Sequence, residues 1–447
     1  MSTPIPVLGA MILVGLVVGV VYLVGLTKKW GILVPFSGML LFGSMALPVT
    51  WNDRLNPTIW LPIQQARSQL FLVCGIMGFF VFIFQTNRLR GKPVSLSLLA
   101  LMLVGLYAAL LRFVHGGPVD GIMSSIFAVV TLVPLVFTSS LAMDCVDDFK
   151  SILHSILLVN IIWIGMVFAQ ILVNPRFVTT GNELRFVGLL SNPQHAAMLM
   201  AFFVTTALWL LLNGPRKFKL IYIGVLGINV LFLLWTGSRT GLGMTLIGVS
   251  SVLYTRAGRA ILLLPFAGIL TYVAFKLTIG LVGENFGFSR LTSTTNTRDV
   301  VWKNLLRIGM ENPAIGVGVV DSENSENSWL YGFASYGIGM LALMFLFTFA
   351  AMIEVLKNIK LRFSLPAEHR PYLDFVTGAI TMYFAGAVFE GYIISRVSAS
   401  LCFIAAFAGM GAILRKNLST TQHEQYDYFE EDYSDYADSE FADEQQE

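Results

Sequence analysis

Apolar residues fall along this chain in long unbroken runs, near 7–26, 31–48, 69–86, 95–113, 121–142, 152–173, 193–213, 219–236, 240–255, 260–281, 329–355, 372–392 and 397–414. Each is about 17 to 25 residues, the length that crosses about 30 Å of hydrocarbon as a helix. The runs are continuously apolar and lack the alternation of barrel strands, so helices are expected. The second and ninth are the weakest. One polar stretch, Gly283 to Ser328, interrupts the series and ends in Asn327-Ser-Trp-Leu330 at the start of the next run. The expected architecture is an all-α polytopic helical integral membrane protein of about 12–13 transmembrane helices. It divides into an N-terminal bundle over 1–281, a loop with an amphipathic helix over 282–328, three further helices over 329–416 and a disordered tail over 417–447.

Composition agrees with that pattern. Hydrophobic residues make up 55% of the 447, charged residues 13%, and mean hydropathy is +0.72, far from the roughly 25% charged of a soluble domain. Charge adds orientation. Alternate loops hold Lys28-Lys29, Arg88/Arg90/Lys92, Lys150, Arg216/Lys217/Lys219, Arg256/Arg259, Lys357/Lys360/Arg362/Arg370 and Arg415-Lys416, which are 17 of the 29 basic residues. Basic loops stay on the cytoplasmic side. The large loop then faces outward and the C-terminus faces the cytoplasm.

The N-terminus lacks a basic n-region and its first apolar run is long enough to span, so it reads as an anchor, not a cleaved signal. Cys74, Cys145 and Cys402 show no metal-ligand spacing and read as small apolar core residues. From Glu424 to Glu447 the chain carries eleven acidic residues and no basic one, interleaved with Tyr426, Tyr428, Tyr433 and Tyr436. Such a segment cannot bury enough apolar surface to fold. It serves either as a solvating tail or as a docking segment for a basic cytoplasmic partner.

The outward side, which should be poor in basic residues, keeps Arg176, Arg185, Arg239, Arg290, Lys303, Arg298, Arg307 and Arg396. Basic groups retained against that bias near membrane level are functional candidates, and a guanidinium fork matches phosphate oxygens; snorkelling to headgroups is the plain alternative. Three lie in patterned surroundings. Arg239 sits in Gly237-Ser-Arg-Thr-Gly241, a tight break where two glycines let the backbone turn and the following helix opens with N–H groups that can seat an anion. Arg185 precedes Asn192-Pro-Gln-His195, an N-cap and first helical turn. Arg298 and Trp302 share a face of an amphipathic helix ending at Asn312-Pro313. No Walker A sequence, dinucleotide fingerprint or metal-ligand cluster is apparent. Asp147-Asp148 reads as a solvated face, and Glu390 could either orient an arginine or cap a helix. No metal, cofactor or nucleic acid is expected.

Together these elements resemble the O-antigen ligase and O-antigen polymerase superfamily of bacterial surface-polysaccharide enzymes. The resemblance runs from about Arg185 onward and is best between Ser238 and Gly339. It consists of Ser238-Arg-Thr-Gly241, then Arg298 and Trp302, then Asn312-Pro-Ala-Ile-Gly-Val-Gly318, then Asn327-Ser-Trp-Leu330 and Gly337, with Asn192-Pro-Gln194 upstream. It implies a metal-independent glycosyltransferase of the bacterial inner membrane. Such an enzyme moves a glycan from undecaprenyl pyrophosphate to a saccharide or lipid acceptor, in surface polysaccharide (lipopolysaccharide) biosynthesis. Arg185, Arg239 and Arg298 would hold the pyrophosphate, with Ser238, Trp302, Asn327 and Glu390 in support. The chain departs from the family at one position. Where the family has His before Asn327, this chain has Glu326. A carboxylate of raised pKa can act as general base, so Glu326 replaces the His, or His195 supplies the base, or activity is altered or lost. A glycolipid transporter or flippase and an inactive membrane scaffold are the readings from other classes. A transporter would carry broken helices and polar groups at mid-membrane depth.

Overall fold

The computed structural model describes residues 30–46, 59–180, 184–258, 298–319, 326–394 and 397–419. The expected spans 7–26 and 260–281, the acidic tail, Arg290 and Arg396 lie outside the described residues. What is described is almost entirely helical: α1 (Trp30–Gly43), α2 (Arg67–Phe84), α3 (Leu96–Ala142), α4 (Asp148–Val173), α5 (Pro193–Asn213), α6 (Lys219–Trp235), α7 (Arg239–Ala257), α8 (Arg298–Glu311), α9 (Ser328–Ser364), α10 (Arg370–Ala387) and α11 (Ala399–Ser419). The sole sheet among the described residues is a hairpin of two-residue strands, β1 (Thr179–Thr180) and β2 (Arg185–Phe186). Seven helices among the described residues are long and apolar enough to cross a membrane, and the chain is an all-α polytopic membrane protein.

Several expected spans differ in detail. The second, expected over 31–48, is the shorter α1 and contains Pro35. The fourth and fifth are the two arms of α3, which fold back at Gly117, where φ is 82°. Glycine reaches that region without a Cβ penalty, and Pro118 can open the second arm because the first turn needs no N–H donor there. The span expected over 329–355 begins at Ser328 but is broken at Gly337 and runs on to Ser364. Of the cysteines, Cys402 is buried and Cys74 half-buried, whereas Cys145 is exposed. Asp148 is buried, its Oδ2 accepting from the backbone N–H groups of Asp144 and Cys145, so only Asp147 of that pair is solvated.

Helices α5 and α11 form the centre of the bundle. Their apolar stretches are 78% and 89% buried, against 22% for α2. Small residues let α5, α7 and α10 approach closely: a methyl at Gly241 would run into Ala197, at Gly248 into Thr205, at Gly378 into Ser251 and at Gly386 into Met244. Without a hydrophobic force between helices in lipid, such close backbone contact supplies the packing energy. It also fixes the level at which α7 begins and α10 ends, so Ser238 and Glu390 arrive at the same end of the bundle. The basic residues of the expected cytoplasmic loops, among them Lys92, Arg256, Arg362 and Arg415, gather at the opposite end.

Candidate functional site

The platform of the site is an interlock between a turn and a broken helix. After α8 the chain passes through Asn312 to Gly318, with Gly316 at φ 69° and Gly318 at φ 82°. Val317 N–H donates to Ala334 C=O and Gly318 N–H to Ser335 C=O, each at 2.9 Å, and Ile338 N–H returns to Pro313 C=O at 2.8 Å. Helix α9 can accept these bonds only because Gly337, at φ 76°, opens it. A Cβ there would meet Ala314 and Pro313 backbone, and one at Gly316 would meet Ser335 and Tyr336. Backbone groups released by the break are thereby satisfied from the turn. His115, beside the fold in α3, contacts Ile315 C=O through Nε2 at 3.0 Å and so joins the tip of α3 to the same platform.

Three chain segments bring a guanidinium and two carboxyl groups together over this platform. Ser238 caps α7, its hydroxyl accepting from Gly241 N–H, which places Thr240 in the first turn. Arg298, at the start of α8, donates through Nη2 to Thr240 Oγ1 at 3.1 Å and to Glu390 Oε1 at 3.2 Å, and its Nε lies 4.0 Å from Glu326 Oε2. Glu390 follows α10 and is held against the start of α9: Ser328 Oγ donates to Glu390 C=O at 2.6 Å and accepts from Tyr392 N–H at 2.9 Å. Asn327, at φ 77°, accepts from Trp329 and Leu330 N–H through Oδ1 and so caps α9. Phe389 lies 4.8 Å from the Arg298 guanidinium and stacks with Trp302 at 6.4 Å. One side of the site is therefore aromatic.

Burial decides the character of the two acids. Glu390 is 2% exposed and Glu326 25%. Burial pushes the Glu390 carboxyl up to about 8; Arg298 opposes this, the neighbouring Glu326 adds to it and Arg185 opposes it further. Two carboxyl groups around one arginine cannot both ionise cheaply. Glu326 Oε2 is shielded from solvent yet has no hydrogen-bond partner among the described residues, and the same holds for Trp302 Nε1.

The sequence-derived candidates thus divide. Arg298, Glu326 and Glu390 converge, with Ser238, Trp302 and Asn327 as their supports. Arg185 is close enough to act electrostatically on Glu390. It stands on the hairpin and donates from Nε to Thr236 C=O at 2.8 Å, bracing the turn into Ser238. Arg239 is exposed, between the buried Ser238 and Thr240. His195 lies against the 390–392 segment, its ring edge-on to Tyr392 at 5.6 Å. It lines a cavity of about 670 Å³ together with Arg67, Arg112, Asp120, Tyr336 and Gly391.

Arg67 and Arg112 are absent from the candidates drawn from sequence. Both sit near helix ends on the side away from the basic loops, the same signal that singles out Arg298. Arg67 has no glycine or capping motif around it, and the Gly116-Gly117-Pro118 that follows Arg112 marks a turn without pointing to the arginine. The chain matches no protein-family model, and no curated protein shows significant similarity to it.

Proposed function

We propose that this protein is a glycosyltransferase of the O-antigen ligase and polymerase kind, acting at the outer face of a bacterial inner membrane on a glycan carried by undecaprenyl pyrophosphate. The observation that carries the reading is the convergence of Thr240, Arg298, Glu326 and Glu390, four residues from distant parts of the sequence, on one end of the bundle beside a polar cavity. A paired set of carboxyl groups held by a fixed cation suits acid–base work on a hydroxyl. In the reaction, an acceptor hydroxyl oxygen bonds to the glycan C1 while the C1–O bond to pyrophosphate breaks. The hydroxyl proton passes to Glu326, and undecaprenyl pyrophosphate leaves with the bonding electron pair. Fixed cations lower the barrier by meeting the charge that develops on the leaving group. Arg298, already bonded to Glu390 and close to Glu326, serves chiefly to aim the carboxylates.

The test is the lipid-linked glycan pool of a deletion strain, complemented with wild type or Glu326→Gln. Single lipid-linked repeats accumulating in the deletion indicate a polymerase, long lipid-linked chains a ligase, and Glu326→Gln fails to restore the wild-type pool. A pool that does not change on deletion overturns the proposal.

A further inference from the structure

The cavity beside the carboxylate cluster has a different chemistry from the cluster, and its cations take no part in the proton transfer to Glu326. Its cationic wall comes from Arg67, in the first turn of α2, and Arg112, just before the fold of α3. Arg67 is fixed by a hydrogen bond from Nη1 to Met45 C=O. Arg112 Nε and His195 Nε2 are both shielded from solvent and without a hydrogen-bond partner among the described residues. The acid on the lining, Asp120, lies at the exposed rim, one residue before the second arm of α3 becomes buried at Gly121. Two guanidinium groups against one rim carboxylate leave the interior positive, and shielded polar atoms such as Arg112 Nε and His195 Nε2 cost free energy unless a partner satisfies them.

The rest of the wall is mostly apolar, with Leu72, Met123, Ile126, Phe127 and Ile394 beside Ser68 and Ser124, and it reaches the outside of the bundle. Below the cavity α2 and the second arm of α3 pack tightly, with Phe71 stacked on Phe127 at 6.1 Å and Gly75 and Gly78 against Thr131 and Pro134. Ser68 and Leu72 of α2 and Met123 and Ile126 of the second arm of α3 line the cavity, and Met123 and Ile126, which are 59% and 51% exposed, also belong to the bundle surface. A second, narrower apolar crevice between the arms of α3 shares Ser124, Phe127, Tyr336 and Ile394 with it. About 670 Å³ lies within the roughly 300–1,000 Å³ of small-molecule sites.

We infer that this cavity seats the phosphate groups of an amphiphilic ligand, a diphosphate on an apolar chain, which enters sideways from the membrane between α2 and the second arm of α3 and meets Arg67, Arg112 and His195. The inference rests on the proposed function only for naming the ligand as the glycan donor. It divides the site: the donor's diphosphate lies on the Arg67–Arg112 side of the 390–392 segment, and the hydroxyl acceptor on the Arg298–Glu326 side. Arg298, with two carboxyl groups about it, is a poorer anion seat than a pair of arginines facing a cavity.

Binding to the purified full-length protein in lipid nanodiscs tests this without any turnover. Farnesyl pyrophosphate and inorganic pyrophosphate are titrated against wild type, Arg67→Gln, Arg112→Gln and the exposed control Arg307→Gln. The expected result is binding of farnesyl pyrophosphate at least about tenfold tighter than of inorganic pyrophosphate, weakened at least about tenfold by either cavity substitution and unchanged in the control, a factor of ten being about 1.4 kcal/mol. Arg112 Nε has no hydrogen bond to lose among the described residues, so Arg112→Gln stands if Arg67→Gln fails to fold. Met123→Trp, at the opening, is expected to weaken the farnesyl ligand while sparing inorganic pyrophosphate. Equal binding of the two probes would remove the lateral entry, and farnesyl pyrophosphate binding that survives Arg112→Gln would remove the seat. If binding behaves as expected but the glycan pool is unaffected by deletion, the enzyme reading fails and the lipid–diphosphate site stands.

Discussion

The two ends of the helical bundle treat their charged groups in opposite ways. At the end carrying Arg362, charges close on one another. Glu354, 3% exposed, accepts from Ser95 and Ser97 hydroxyls at 2.8–2.9 Å and lies 3.7 Å from Arg415. Asp374 pairs with Arg362 and accepts from Thr255, and Asp144 is bridged by Arg88 and Lys92 at 2.6 Å each. The shielded atom left over there, Asn358 Nδ2, belongs to a side chain whose Oδ1 accepts from Arg415. At the Arg298 end, Glu326 Oε2, Trp302 Nε1, Arg112 Nε and His195 Nε2 remain without hydrogen-bond partners among the described residues. Buried polar groups are nearly always satisfied in folded proteins. One end therefore holds the helices together, and the other keeps donors and acceptors for something else, as functional sites do when they break local rules of stability.

That contrast can be broken most directly by removing one acid at the closed end and the cation at the open end. Asp374→Ala leaves Arg362 at the helix ends without its carboxylate and is expected to cost about 3 kcal/mol or more of stability, while the surviving folded protein keeps its transfer rate. Arg298→Ala is expected to lower glycan transfer at least about 100-fold with a smaller loss of stability, because Glu390 can stay protonated. Thermal unfolding and rate per folded molecule, measured on both, should separate in opposite directions. Parallel loss of both quantities in both variants would mean that the ends do not differ in kind.

A smaller effect is expected at the platform. Gly337→Ala forces a side chain into φ 76° and against Ala314 and Pro313. Strain of this sort costs about 1–3 kcal/mol, and the turn from Pro313 to Gly318 should become open to proteolysis. An unchanged proteolytic pattern and rate would show that the interlock is not needed to place Arg298.

The comparison is sharpened further through pH. Because burial raises Glu390 from the ordinary 4.5 to about 8, the folded state binds more protons than the unfolded one between those values. Stability should fall as pH rises through that window and level off above about 8. Glu390→Gln, which cannot ionise, should flatten this part of the profile, as followed by thermal unfolding. An identical slope in wild type and variant would place the proton elsewhere.

Much of the open end is legible in the amino-acid sequence. Glycine at 316, 318 and 337 marks backbone that other residues rarely adopt, and the fold shows why the three belong together: the turn supplies the hydrogen bonds that the broken helix loses. Ser238 and Asn327 are placed by the sequence at helix starts, and the structure shows that both cap those helices. Arg298 stands out as a cation held against the charge bias. Glu390 is ambiguous in sequence between capping and orienting an arginine, since nothing within its own segment names Arg298 as its partner. Arg239 has the better motif but is the exposed member of its turn, for a helix start fixes backbone direction and leaves side-chain burial to the neighbours.

By itself, the sequence determined that the chain is a bundle of membrane helices, since in hydrocarbon a long apolar run must satisfy its backbone internally whatever its neighbours are. It also determined where the helices start and where the backbone must turn, because those depend on residues a few positions apart. Tertiary structure alone decided that Glu390 and Glu326 meet Arg298, that Arg67 and Arg112 face one cavity with His195, and that α2 and the second arm of α3 both line it. These depend on which small residues let which helices approach. Contacts between residues as far apart in sequence as Thr240, Arg298 and Glu390 leave no periodicity along the chain from which to read them.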